Sequence, residues 1–295
     1  MIKRTITISS PVHLSLENRQ LVITNKETEE RQTLPLAEVG LLILEHPRVT
    51  TTLRMLQYCM EVGCIVVVCD EFHIPSGYLS PLEGHSTQGE RTREQVAASI
   101  PTKKSIWKQL VKSKILNQAA VLKSRGIEEH QRLLNLSDEV RSGDPDNREG
   151  IAARIYWSAL LGEEFIRERD GVPPNALFNY AYAILRASVT RSIIASGLSP
   201  KLGVQHQNKY NPFPLSDDVM EPYRPFADLA VMELVDSGEL SITKESRAHL
   251  RTLLAQDTLI SKLRRPLLIA ISITTSSLAR VYSGGAKTLV LPRIP

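Results

Sequence analysis

The hydrophobic pattern changes character about a third of the way along the chain. Up to residue 70 the apolar positions come in short aliphatic or β-branched runs: TITI at 5–8, VHLSL at 12–16, QLVIT at 20–24, LLIL at 41–44 and CIVVVCD at 64–70. Such runs, bounded by polar residues, predict strands, and Glu17-Asn18-Arg19 predicts a hairpin turn between two of them. Leu53, Leu56, Met60 and Val62 fall near helical spacing instead, with Gly63 as the stop. Together these elements predict a small β-rich domain over residues 1–80. Between Pro75 and Pro101 the stretch SGYLSPLEGHSTQGERTREQ has no sustained period, which predicts a linker over residues 81–101. Asp70, His73 and His85 lie on or near it and read as turn or interface residues rather than ligands.

Beyond Pro101 the period is helical and stays so, predicting a larger all-α domain over residues 102–295 and an α+β chain overall. Ile106, Leu110, Ile115, Ala119 and Leu122 form one stripe, surrounded by Lys103, Lys104, Lys108, Lys112, Lys114 and Lys123. Those lysines make either a solvated face or a nucleic-acid contact. GDPDNREG at 143–150 reads as a turn with Asp144 or Asp146 as N-cap, feeding a helix that runs to Gly171. After Pro173-Pro174 comes a long helix in which Asn175 and Asn179, four apart, share a face suited to bracing a neighbour. Helical stretches at 243–258 and 261–282 follow. The tail GGAKTLVLPRIP has no period and reads as mobile or docked on a partner.

Charge sharpens this division. The 295 residues carry a formal net charge of +4, but residues 1–100 hold 9 Lys/Arg against 12 Asp/Glu and the remainder 27 against 20. An anionic polymer would therefore meet the second part. Cys59, Cys64 and Cys69 are odd in number and form no CxxC pair, which points to free thiols in a reducing cytosol. No apolar run is long enough for a membrane span and the N-terminus lacks a signal-peptide core, so a cytoplasmic protein without a membrane partner is expected.

Candidate chemistry concentrates between Leu202 and Phe226. His206 lies in a Gly- and Asn-rich loop, and Asp217, Asp218 and Glu221 follow in the first turns of a helix. Asp218 and Glu221, three apart, lean to one side of that helix. Imidazole suits a transition metal and carboxylates suit magnesium or manganese. Glu149 falls on the stripe of Ala152, Ala153, Tyr156 and Leu160. First-turn exposure, an ion pair with an arginine, and a metal site all account for it. Arg186 and Arg191 point either to phosphate or to the acidic residues. Arg224 suits a DNA contact or an ion pair with Asp228. No GxxxxGK[ST] loop is present.

Four blocks then stand out in order: EGIAARIYW from Glu149, PPNALFNYAYAIL from Pro173, LGVQHQNKYNPF from Leu202 and LSDDVMEPYRP from Leu215. With the small sheet domain and linker ahead of them, they resemble the CRISPR-associated integrase family, the catalytic subunit that inserts new spacers into a CRISPR array. The QNKYNPFPLSDDVMEPYRPF wording and the chain length resemble the type II branch. The resemblance implies a metal-dependent DNA endonuclease and integrase using Mg2+ or Mn2+ held by Glu149, His206 and Glu221. It also implies Asp218 as an assisting acid and Asn179 as a residue bracing the site. Many relatives carry Asp where Glu221 stands, and Gln205 departs from an aromatic or His in others, so the ligand role falls on His206. The expected partners are a second copy of the chain, a small CRISPR-associated protein, other type II adaptation proteins, and double-stranded DNA as incoming fragment and CRISPR repeat. Arg186, Arg191, Lys209 and Arg224 are the candidate DNA contacts.

Overall fold

A computed structural model describes residues 4–71, 75–79, 81, 86–206 and 208–295. His73 and His85 lie outside the described residues. The chain divides into two compact units, Met1–Ser86 and Thr87–Pro295.

The first unit contains strands β1 (Arg4–Ile8), β2 (Val12–Glu17), β3 (Gln20–Asn25), β4 (Arg31–Pro35), β5 (Val39–Leu44) and β6 (Thr50–Thr51). Helix α1 (Leu53–Glu61) and strands β7 (Ile65–Cys69) and β8 (Pro75–Leu79) complete it. One sheet has the order β1-β5-β7-β8 and the other β4-β3-β2-β6. The β2–β3 turn places Asn18 and Arg19 at φ 48° and 63°, the left-handed pair that matches hairpin twist. Strand β4 escapes the pattern because Leu34 is its one large apolar residue. Thr52 caps α1, its hydroxyl accepting from the Met55 amide at 3.3 Å. Leu14, Leu21, Leu42, Met55 and Cys59 lie in one buried cluster. None of the three cysteines is in a disulfide, and Cys69 is only half-buried.

The second unit holds α2 (Gln88–Ala97), α3 (Ile100–Ser124), α4 (His130–Glu139), α5 (Arg148–Leu161), α6 (Asn175–Ala195), α7 (Pro214–Met220) and α8 (Arg224–Asp236). After α9 (Lys244–Arg251) come strands β9 (Asp257–Ile260) and β10 (Leu263–Pro266), then α10 (Leu267–Tyr282). The predicted linker thus carries a helix. Polar bonds rather than an apolar stripe fix α2: buried Gln95 accepts from the Ser199 amide at 2.7 Å and donates to the Ser199 carbonyl at 3.3 Å. The predicted all-α domain also contains a β-hairpin, where helix was expected through 258 and again from 261. Ser261 and Lys262 turn it at φ 50° and 64°, and Pro266 cannot sit inside a helix.

Helix α3 is the spine of this unit. Ser99 caps it, Pro101 occupies its first turn, and it packs against α4, α5, α7 and α8. Ile106, Leu110 and Val111 are fully buried, each contributing about 1.5–3 kcal/mol of apolar burial. Helix α5 stops at Gly162 (φ +94°), short of the predicted Gly171. The C-terminal tail docks on its own unit. The Leu289 amide donates to Gln109 Oε1 at 2.8 Å, the Ile294 amide to Asn117 Oδ1 at 3.1 Å, and Arg293 bridges to Leu259. Among the described residues no helix is long and apolar enough to cross a membrane.

Candidate active site

The first turn of α5 is built to hold Glu149. Asn147 adopts a left-handed conformation and accepts from the Gly150 amide at 3.2 Å, while Asp144 accepts from the Arg148 and Glu149 amides at 2.9 and 3.0 Å. A Cβ on Gly150 would collide with the Asn147 side chain, so the cap requires glycine there. The N-cap is therefore Asn147. Asp144 satisfies two further amides, and Asp146 instead pairs with Arg141 at 2.6 Å.

Helix α7 and the 3-10 turn Glu221–Tyr223 carry the acids. Asp218 is fully buried and accepts the Val204, Gln205 and His206 amides at 2.5, 3.1 and 3.2 Å, and the His206 Nδ1 at 2.7 Å. Four contacts on one carboxylate wrap the loop around it. Gly203 permits the wrap, because a Cβ would run into the His206 carbonyl oxygen, Pro214 and Asp218. With Nδ1 committed to Asp218, Nε2 is the His206 nitrogen left to face a ligand. The Trp107 ring meets the imidazole edge-on at 5.9 Å between centroids. The hydrogen bond to Asp218 raises the imidazole pKa against the opposing effect of burial.

Glu221 is buried between two cations. Its Oε2 lies 2.6 Å from Lys114 Nζ and its Oε1 2.9 Å from Arg224 Nε. The same Lys114 Nζ lies 2.6 Å from Glu149 Oε1. The two glutamate oxygens are thus no farther apart than twice that distance. Burial pushes the Glu221 pKa up, but Arg224 and Lys114 overcome it and hold the carboxyl down at about 2. Asn117, one turn beyond Lys114 on α3, donates to the Pro222 carbonyl at 2.8 Å and to the Pro292 carbonyl at 3.2 Å. It ties the Glu221 turn to the docked tail.

The remaining candidates lie on α6, α8 and the loop before α7. Arg224 pairs with Glu221 rather than with Asp228, and its guanidinium lies 4.6 Å from the Tyr182 ring centroid. Asp228 is occupied by the Tyr182 and Tyr156 hydroxyls at 2.5 and 3.0 Å. Arg186 grips Asp217 through two bonds of 2.6 and 2.8 Å. Arg191 is half-buried on α6. Lys209 is exposed, stacked on Tyr210 at 4.8 Å. Asn179 braces a loop, accepting from Arg167 at 2.8 Å and donating to the Arg169 carbonyl at 2.6 Å. Asn175 supports the same loop through the Ile166 and Val172 carbonyls.

Glu149 and Glu221 are therefore brought together, while His206 is held by Asp218 and interacts electrostatically with Glu221 without closing on the pair. Among the described residues no three His, Cys, Asp or Glu side chains form a ready metal cluster. Lys114 stands between the two carboxylates, and His206 is engaged by Asp218. The donor set nonetheless fits a divalent cation: two anionic oxygens already close on one cationic group. Lys114, expected from the sequence on a solvated basic face or in a nucleic-acid contact, is instead buried against the two glutamates, four residues after Leu110 on α3.

A cavity of about 420 Å³ opens beside His206. Lys103, Lys201 and Lys209 line it with Asn208 and Asn211, and among the described residues no acidic side chain does.

Residues 6–263 match the family model for CRISPR associated protein Cas1. A CRISPR-associated endonuclease Cas1 from Neisseria meningitidis is 39% identical over 298 residues, covering 100% of this chain and 97% of that protein. In fold, the chain is similar to a casposase bound to integration product (TM-score 0.79, 19% identity), covering 98% of this chain and 92% of that one. It is also similar to a chain of a Cas6-RT-Cas1–Cas2 complex (TM-score 0.76, 18% identity), covering 97% of this chain and 36% of that longer one. By the family match and by the full-length likeness to the Neisseria protein, the chain belongs to the CRISPR-associated Cas1 family.

Proposed function

We propose that the second unit is a metal-dependent DNA endonuclease and integrase that inserts new spacer DNA into a CRISPR array. The observation that carries this reading is the pair Glu149 and Glu221 closed on one ammonium, with His206 oriented by buried Asp218. Glu149, Glu221 and His206 Nε2 would hold Mg2+ or Mn2+, which when bound supplies Lewis-acid polarisation of a phosphoryl oxygen. The chain's own groups do the rest. Asp218 fixes the imidazole, Arg224 fixes Glu221, and the lysine-lined cavity receives phosphate. In the reaction, a DNA 3′-hydroxyl attacks phosphorus, a new P–O bond forms, and the P–O bond to the original 3′-oxygen breaks. That oxygen leaves with a proton. One phosphodiester replaces another, so no nucleotide need be hydrolysed.

A hydrolytic nuclease would use the same ligands with water as nucleophile, and a DNA-binding scaffold would need none of them. The likeness to a casposase bound to integration product favours joining, while the Neisseria relative is named an endonuclease and fits the type II branch. His206→Ala, assayed on branched and linear DNA, separates the readings. Joining should fall to background while DNA binding and melting temperature stay near wild type. Retained joining would contradict the site, and hydrolysis without joining by the wild-type protein would favour the nuclease.

The three cavity lysines suit phosphate contact, so Lys201→Ala should weaken duplex binding across sequences. The slope of log affinity against log salt should become shallower by about 0.9. An unchanged slope would remove Lys201 from the interface. We further infer double-stranded DNA as ligand and assembly with a second copy and with a small partner protein, the last in line with the likeness to a chain of the Cas6-RT-Cas1–Cas2 complex. Val68 and Leu79, exposed on the first unit's sheet, are apolar surface for such an assembly. Light scattering of the full chain should give twice the monomer mass, and the monomer mass would count against it.

A further inference from the structure

Lys114 is 8% exposed, projects from the packed spine helix, and has its Nζ 2.6 Å from an oxygen of each glutamate. Arg224 takes the remaining Glu221 oxygen. Two carboxylates thus face two basic groups, so charge balances around the buried Lys114 and Glu221, with Glu149 and Arg224 half-buried at its edge. A divalent cation would bond oxygens at roughly 2.0–2.2 Å, in the space the ammonium fills. An ammonium has three donors and no lone pair, so it cannot join the coordination shell. A dication added beside it would leave uncompensated positive charge in a buried site, which is strongly unfavourable. Of the two basic residues, Arg224 is the poorer candidate to leave, being held against the Tyr182 ring as well as Glu221. Lys114 is a compact charge on a flexible four-carbon stem.

We propose that the Lys114 ammonium is a resident cation of the Glu149–Glu221 pair, which a divalent metal ion must displace in order to bind. This rests on the metal reading given above. Lys114 holds two like charges together and keeps them assembled, and in doing so it competes with the metal. It is a positioning residue with an opposing effect: it preforms the pair and weakens its metal affinity.

The test uses the full-length, DNA-free protein and Mn2+ alone. Lys114→Met keeps most of the stem and removes the charge. Its Mn2+ Kd, by calorimetry or by electron paramagnetic resonance of free Mn2+, should be tighter by about tenfold, or ~1.4 kcal/mol. An unchanged or weaker Kd overturns the proposal, since a merely supporting lysine would give one of those. A second measurement needs no variant. Reductive methylation of Lys114 in the wild-type protein, followed by peptide mass spectrometry, should be slow without metal and accelerate when Mn2+ saturates. Mn2+ binding without acceleration overturns the displacement alone. Absence of Mn2+ binding to both proteins overturns the displacement together with the metal reading beneath it.

Discussion

Glu221→Ala should abolish strand joining and also cost the protein much of its stability. Its carboxylate is 3% exposed and is the shared partner of Lys114 and Arg224. Removing it strips the half-buried Arg224 of its hydrogen-bonded carboxylate and leaves the buried Lys114 with Glu149 alone. Breaking a buried pair by removing one partner costs about 3–5 kcal/mol, because the remaining charge stays desolvated. For a domain of this size that corresponds to a melting-temperature drop on the order of 10 °C. Glu221→Gln keeps the shape and a hydrogen-bonding group while losing the charge. It should be equally inactive yet lose less stability. Calorimetry on the two variants checks the argument: an Ala variant melting with wild type would show that the ion pairs contribute little.

The second large effect is a dependence of stability on pH centred on Asp228. This carboxylate is 1% exposed, and burial raises its pKa to about 6, although the Tyr182 and Tyr156 hydroxyls and Arg224 pull it back. In the unfolded chain the group titrates near 3.8. Between those values the folded state holds a proton that the unfolded state has released, so stability falls as pH rises through the window. The full excursion is about 3 kcal/mol. Glu221 acts in the opposite sense: its contribution is present above pH 4.5 and is lost as pH falls towards 2. His206, raised above 6.5, loses its contribution at higher pH. Denaturant titrations between pH 4.5 and 6 therefore isolate Asp228. The wild type should lose stability across that range and Asp228→Asn should be nearly flat. Equal slopes would place the proton elsewhere.

Several parts of this arrangement were legible in the sequence because they depend on local chemistry. The four blocks carried Glu149, His206, Asp218 and Glu221, and the strand runs of the first unit are visible as periodicity. What escaped depends on tertiary partners. Lys114 reads as one more lysine on a basic helix until two glutamates from other elements meet it. Arg224 sits four residues before Asp228, which suggests a helical pair, but the two tyrosine hydroxyls occupy that acid and Glu221 takes the arginine. Helix α2 has no apolar stripe to find, since Gln95 and Arg91 anchor it through backbone carbonyls. The β9–β10 hairpin had a signal that went unused: Pro266 forbids an uninterrupted helix there. The tail was unreadable because amide and hydroxyl side chains on α3 and α10 supply its partners.

The proposed cation-holding centre draws Glu149, His206 and Glu221 from α5, a loop and the turn after α7. Crystals soaked in Mn2+ test it most directly through anomalous difference density. The expected result is one strong peak within about 2.0–2.3 Å of a Glu149 oxygen, a Glu221 oxygen and His206 Nε2, with the Lys114 ammonium moved away. A manganese peak elsewhere, with these three side chains still as they are around Lys114, would contradict the account.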